Sequence, residues 1–245
     1  MLQDAAGRRI PETTFRSRAN GQWKDLTTRE VFAGKTVIVF GLPGAYTPTC
    51  STTHLPRYNE LAPLFRRLGV DTVARVSVND GFVMEAWQKD QDAPHVTFLP
   101  DGNAQFTAGL GMLVDKSDLG FGRRSWRYSM LVKDGVVQKM FIEPNKPGDP
   151  FEVSDADTMF DYVAPKAKKP DQVAILTREG CGFCARAKKL LKDLGYDYAE
   201  VSLGNANRSR VVGAITGKGT VPQVFVNGER IGGLEELERW AKKAA

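Results

Sequence analysis

Apolar residues fall along this chain in two alternating patterns, short continuous runs and helically spaced stripes, as expected for buried strands separated by helices. Thr36-Val-Ile-Val-Phe-Gly-Leu42 is a near-continuous apolar run and predicts a buried parallel strand. Asn59 to Leu68 carries Leu61, Leu64, Phe65 and Leu68 at helical spacing. Val70 to Val78 predicts the next strand, Gly81 to Lys89 a short helix, and Val96 to Leu99 a strand closed by Pro100-Asp-Gly102. Trp126 to Val132 and Val136 to Ile142 flank Lys133-Asp-Gly135 and predict a hairpin. Ser154-Asp-Ala-Asp157 predicts a helix cap ahead of Met159, Phe160 and Val163. Strands alternating with helices, with one late hairpin, make an α/β domain.

Ala164-Pro-Lys-Ala-Lys-Lys-Pro-Asp171 has two prolines, three lysines and no large apolar residue, and reads as a linker. The pattern then restarts in miniature. Val173 to Leu176 predicts a strand, Cys181 to Leu194 a helix stopped by Gly195, and Tyr198 to Val201 a second strand. Arg208 to Ile215 reads as helical, Val224 to Val226 and Arg230-Ile231 flank an Asn227-Gly228 turn, and Leu234 to Lys243 closes the chain as a helix. This β-α-β-α-β-β-α order resembles the thioredoxin fold at its smallest. The expected organisation is a domain over 1–165, a linker over 166–171 and a second domain over 172–245.

Composition narrows the setting. The 245 residues are 42% hydrophobic and 26% charged, ordinary for one large or two small globular domains. Met1 to Phe15 is polar and lacks the apolar core of a secretory signal, and no apolar run nears the ~18 residues of a membrane span. Three cysteines do not make a secreted disulfide framework, so a reducing compartment, the cytoplasm, is expected. The formal charge of +5 is unevenly spread. Residues 1–165 carry 19 Lys+Arg against 20 Asp+Glu, residues 171–245 carry 12 against 9, and three lysines lie between. With no dense basic stripe, nucleic acid is not an expected partner. A mildly positive second domain would favour the arrival of an anionic thiol.

The cysteines hold the chemistry. Cys50 stands alone in Gly44-Ala-Tyr-Thr-Pro-Thr-Cys50, after a strand and before a helix, whereas Cys181 and Cys184 form a Cys-Gly-Phe-Cys pair in the same kind of position. A lone cysteine is commonly inert and buried. For a reactive one, a free thiol titrates near ~8.5, and holding half of it as thiolate at neutral pH takes roughly 2 kcal/mol. A helix N-terminus supplies only ~0.3–1 kcal/mol, so a cation and a hydroxyl are expected beside the sulfur. Thr47 is placed to bring a hydroxyl, Pro43 and Pro48 fix the loop, and His54 shares a face with Cys50 if the helix begins there. Spacing leaves the cation open among Arg123, Arg124 and Arg127.

Pro43-x-x-x-Thr47-x-x-Cys50 resembles the peroxiredoxin active-site motif, and Gly44 to Pro56 is similar to the type-five subclass. The likeness continues through Val76-Ser-Val-Asn-Asp80 and Pro100-Asp-Gly102 to Arg127-Tyr-Ser-Met-Leu-Val-Lys-Asp-Gly135. It implies a peroxidatic Cys50 oxidised to sulfenic acid, Thr47 bonded to the peroxide, Pro43 shielding the site and Arg127 as the missing cation. His54 is expected either to pack under the loop or to tune the site. Residues 172–245 resemble glutaredoxin. That likeness implies a cis Pro222, a mixed disulfide at Cys181, and glutathione held by the Thr220-Val221 backbone beside Pro222, by Gly233 with Leu234 and Glu235, and by Arg178. Two features depart from it: Gly182 stands where proline is usual, and Leu234-Glu235 replaces a small residue followed by Asp. Cys-Gly-Phe-Cys also differs only in its last residue from the Cys-Gly-Phe-Ser of iron–sulfur glutaredoxins, which leaves a glutathione-ligated 2Fe–2S cluster open.

Together the domains resemble the hybrid peroxiredoxin–glutaredoxins of bacteria, which implies two thioredoxin-fold domains and a glutathione-dependent thiol peroxidase acting on hydrogen peroxide and alkyl hydroperoxides. Residues 1–165 hold no second cysteine, so a thiol from elsewhere must reduce the Cys50 sulfenate. No bound cofactor or metal is expected; glutathione is the co-substrate and NADPH enters only through an external glutathione reductase. Self-association as a dimer or larger homo-oligomer is expected. Competing readings are a direct Cys50–Cys181 or Cys50–Cys184 disulfide cycle, a redox sensor or chaperone, and structural zinc on Cys50, His54, Cys181 and Cys184.

Overall fold

A computed structural model describes residues 2–167, 169–204 and 208–244, and the chain divides into two units, Met1–Ala167 and Lys168–Ala245. Lys168, inside the segment expected to be a linker, lies outside the described residues. The first unit begins with a hairpin of β1 (Thr14–Ala19) and β2 (Gln22–Thr27). Its turn is Asn20-Gly21, both at positive φ, a strong hairpin signal in the sequence. Next come α1 (Thr28–Phe32), β3 (Thr36–Gly41), α2 (Leu55–Arg67), β4 (Thr72–Ser77), α3 (Gly81–Asp90) and β5 (Val96–Pro100). The unit ends with α4 (Gln105–Leu110), the short strands β6 (Leu113–Asp115) and β7 (Arg123–Ser125), β8 (Tyr128–Lys133), β9 (Val136–Ile142) and α5 (Ala156–Val163).

Five of these strands form a sheet in the order β5-β4-β3-β8-β9, parallel from β3 to β5 and antiparallel through β8 and β9. Because side chains alternate across a strand, β3 serves two cores at once. Ile38 and Phe40 face Tyr58, Leu61 and Phe65 of α2, with Trp87, Met159 and Phe160. Val37 and Val39 face Phe15, Phe32 and Phe106 on the other side. This two-sided burial explains the unbroken apolar run. At the end of β3, Gly41 pairs with Tyr128. A Cβ at Gly41 would lie 2.2 Å from Tyr128 Cε1, so the tyrosine ring occupies the space of the missing side chain.

The second unit contains β10 (Val173–Thr177), α6 (Gly182–Asp193), β11 (Ala199–Ser202), α7 (Arg208–Thr216), β12 (Gln223–Val226), β13 (Glu229–Gly232) and α8 (Leu234–Ala244). Its sheet order is β11-β10-β12-β13, with β10 and β11 parallel and the other pairs antiparallel. Val173, Ile175, Ala187, Leu191, Val224, Leu234 and Leu237 make its core. Both units are therefore α/β. Among the described residues no helix is long and apolar enough to cross a membrane.

Asp155 caps α5, accepting from the Asp157 and Thr158 N–H groups, and α5 buries Met159 and Phe160. Asp155→Ala is expected to lower the unfolding free energy of the first unit by about 1 kcal/mol, read by denaturant titration.

Candidate active site

The chain leaves β3 through a loop that ends at Pro48, where helical structure begins, so Cys50 lies within the first turn and not at its start. The turn is irregular. Cys50–His54 is π-helical, closed by the Leu55 N–H bonding to the Cys50 carbonyl, and only then does the regular helix α2 follow. Cys50 is a free cysteine with no exposed surface, packed in the core that contains Phe40, Tyr58 and Trp87.

Arg127 brings the cation. It sits in the break between β7 and β8 with only 1% of its surface exposed, whereas Arg123 is exposed and Arg124 Nη1 is spent on the Val78 carbonyl. Arg127 Nη2 donates to both oxygens of Asp149, at 2.6 and 2.5 Å, and Nη1 donates to His54 Nδ1 at 3.1 Å. Burial pulls the Arg127 pKa down, but the Cys50 sulfur and the Asp149 carboxylate outweigh it and hold the guanidinium above its ordinary value. Nε is buried and has no hydrogen-bond partner among the described residues.

His54 is held at both ring nitrogens. It is fully buried beneath the 149–154 loop, donating from Nε2 to the Ser154 carbonyl at 3.1 Å, and its other nitrogen supports Arg127. Burial, and then the charge of Arg127, hold its pKa well below 6.5, so the ring is neutral and can accept at Nδ1. With both nitrogens engaged it has none to offer a metal, which removes a ligand from the zinc reading. Ser154 in turn gives its N–H and hydroxyl to Glu143, which also accepts from the Glu152 and Val153 N–H groups. The Glu143 N–H returns to the Arg127 carbonyl at 3.1 Å. The hydrogen bonds thus close a ring through Arg127, His54, Ser154 and Glu143. Asp149 and Glu143 were not among the expected site residues. The one signal for them is an acid at each end of Glu143-Pro-Asn-Lys-Pro-Gly-Asp149, a turn-rich stretch between a strand and a helix.

Thr47 is committed within its own loop. Its hydroxyl donates to the Gly44 carbonyl at 3.0 Å, so it turns lone pairs and not a proton toward any other partner. Pro43 is buried, and Asn79 Oδ1 holds the loop by accepting from the Ala45 N–H and the Ser77 hydroxyl.

In the second unit, Cys181 caps α6 and accepts the Cys184 N–H at 3.1 Å. The two cysteines are joined as a disulfide, Cys181 half-buried and Cys184 buried. They line a cleft of about 600 Å³ with Arg178, Lys188 and Glu200. The structure therefore brings Arg178 to the dithiol. The other expected glutathione contacts are not in the lining of that cleft. The Val221–Pro222 bond is cis, and Pro222 lies against Gly233. Within the second unit the Thr220 carbonyl accepts from Gln223, the Gly233 N–H is bonded to the Glu236 carboxylate at 2.9 Å, and the Leu234 side chain is in the core. Glu235 lies in the first turn of α8.

Two family models match the chain, Redoxin over residues 5–160 and Glutaredoxin over 173–231. The hybrid peroxiredoxin hyPrx5 of Haemophilus influenzae is 58% identical over 98% of this chain and 99% of its own length. Peroxiredoxin sll1621 of Synechocystis is 52% identical over 66% of this chain and 95% of its own. Among solved structures, reduced Prx3 from Vibrio vulnificus in complex with H2O2 matches with a TM-score of 0.62 at 42% identity, covering 66% of this chain and 99% of that one.

The buried neutral His54 sets a pH dependence. Its folded pKa is depressed, so below about 6.5 the unfolded chain binds a proton that the folded one refuses, and stability falls as pH falls. The expected slope from this group is at most about 1.4 kcal/mol per pH unit. Subtracting the denaturation curves of His54→Gln from those of the parent should isolate it; parallel curves would contradict a neutral His54.

Proposed function

The chain belongs to the peroxiredoxin family in its hybrid form, a redoxin domain followed by a glutaredoxin domain, and on that premise we propose that this thiol peroxidase reduces hydroperoxides with glutathione as its reductant. The observation that carries the proposal is that Cys50, buried beside Arg127, is the only cysteine of the first unit. The Cys50 thiolate attacks the terminal oxygen of ROOH, the O–O bond breaks, and the departing alkoxide takes a proton. Sulfur is oxidised by two electrons to sulfenic acid. The uncommitted Arg127 Nε–H supports its role in holding thiolate and peroxide together, and the Thr47 lone pairs suit an acceptor for the peroxide O–H. Pro43 keeps water from the sulfur.

Glutathione then condenses with the sulfenic acid, releasing water and leaving a Cys50–glutathione disulfide. The Cys181 thiolate takes the glutathionyl group and returns Cys50 as a thiolate. A second glutathione frees Cys181 as oxidised glutathione, which an external reductase renews with NADPH. Arg178 beside Cys181 supports capture of an anionic tripeptide. Exposed Trp23, Tyr46 and Phe82 support self-association as a homo-oligomer.

In NADPH consumption coupled to glutathione reductase, Cys50→Ser is expected to abolish peroxide turnover, Cys181→Ser to remove most of it and Cys184→Ser to leave part. Arg127→Met should slow the peroxide step about 100-fold. Mass spectrometry after one equivalent of peroxide should show a Cys50–glutathione adduct; a Cys50–Cys181 or Cys50–Cys184 disulfide in its place would favour the direct cycle. Full turnover in Cys50→Ser would end the scheme.

A further inference from the structure

Arg75 occupies the middle of β4 and has no exposed surface. Its strand neighbours Ala74 and Val76 belong to the core on the other side of the sheet, so Arg75 projects into the core that holds Cys50, Trp87 and Phe98. Its guanidinium carbon lies 3.3 Å from the centroid of the Trp87 ring and 4.9 Å from that of Phe98. Nε, Nη1 and Nη2 are all buried, and none has a hydrogen-bond partner among the described residues. Arg127 has a carboxylate and an imidazole for its nitrogens; Arg75 has aromatic faces alone.

A guanidinium stays protonated in proteins, so Arg75 is a cation in the core. Aromatic faces offset part of its desolvation but do not neutralise it. Two titratable groups feel its charge. His54 is held neutral, and Arg75 adds to the cause. The other is the Cys50 sulfur, whose negative charge opposes the downward push of burial on the Arg75 pKa. A physical link joins the two residues as well: Trp87, which carries the guanidinium on its face, donates from Nε1 to Ser51 Oγ at 3.1 Å, next to Cys50.

We propose that Arg75 is a second counter-cation of the Cys50 thiolate, supplied from the core and held in place by Trp87. It acts through the sulfur and touches no substrate, so it is a positioning residue. This rests on Cys50 being the thiol that meets peroxide. One consequence separates Arg75 from Arg127. The Cys50 sulfur itself carries no charge in the sulfenic acid or in the disulfide with glutathione, so oxidation removes the anion that Arg75 faces, while Arg127 keeps Asp149. The stability of the first unit then depends on the charge of one sulfur.

The test uses full-length reduced protein and iodoacetamide, with alkylation of the Cys50 peptide followed by mass spectrometry across neutral and alkaline pH. In Arg75→Met the profile should move alkaline by about one pH unit. Near neutrality the rate should fall about tenfold, and the curves should meet at high pH. Arg75→Lys, which keeps a cation, should restore most of the shift. A Met profile superimposed on the parent, or a Lys variant shifted as far as Met, would overturn the proposal. Thermal midpoints give a second measurement. Arg75→Met should stabilise the Cys50→Ser protein more than the parent, because only the parent has the anion; equal effects would also overturn it. Neither measurement contains glutathione or peroxide, so their failure is distinguishable from failure of the peroxidase scheme.

Discussion

Burying the Arg127 guanidinium beside a thiol is costly unless hydrogen bonds and a counter-charge offset it, and the first unit supplies both. Asp149 supplies the charge and His54 the neutral acceptor. His54 can play that part because its far nitrogen is tied to Ser154 and its burial keeps it unprotonated. Ser154 is fixed by Glu143, whose own backbone bonds to Arg127. A closed ring of this kind is costly to leave half-satisfied, since each member lost strands a buried polar group. The ring and Asp149 fix where the guanidinium lies, with Nη1 and Nη2 bonded and Nε without a hydrogen-bond partner among the described residues.

The two units solve different problems with the same element, a thiol in the first turn of a helix after a strand. Cys50 is sealed from solvent in an apolar core and feels the charge of Arg75 and Arg127. That suits a small oxidant and a reaction that creates a leaving anion in a dry site. Cys181 lies half-buried at the mouth of a charged cleft, with Phe183 beside it 63% exposed. That suits exchange with bulky disulfides, where access limits the rate.

Much of this was legible in the residues. The apolar run of β3, the stripe of α2, the Asn227-Gly228 turn and both cysteine settings follow from periodicity and turn chemistry. The identity of the cation came from the resemblance to the family motif and not from spacing. Arg123, Arg124 and Arg127 are equivalent by spacing, and only a break between two short strands separates their fates. Asp149, Glu143 and Arg75 escaped because their roles depend on contacts between residues far apart in the chain. Arg75 did leave one trace, a charged residue between Ala74 and Val76 in an apolar strand. The π-helical turn was not read from the residues, since a single turn is too short for a period to show.

Gly41 has no side chain and takes no part in the chemistry, yet the ring of Tyr128 occupies its missing Cβ, and Tyr128 follows Arg127 in the chain. In evolutionary terms this makes the glycine a constraint and not a spacer. Lineages that drift at Gly41 would have to drift at Tyr128 as well, so the two positions should change together or not at all. Selection for peroxide handling would then act on an inert strand residue as stringently as on the sulfur.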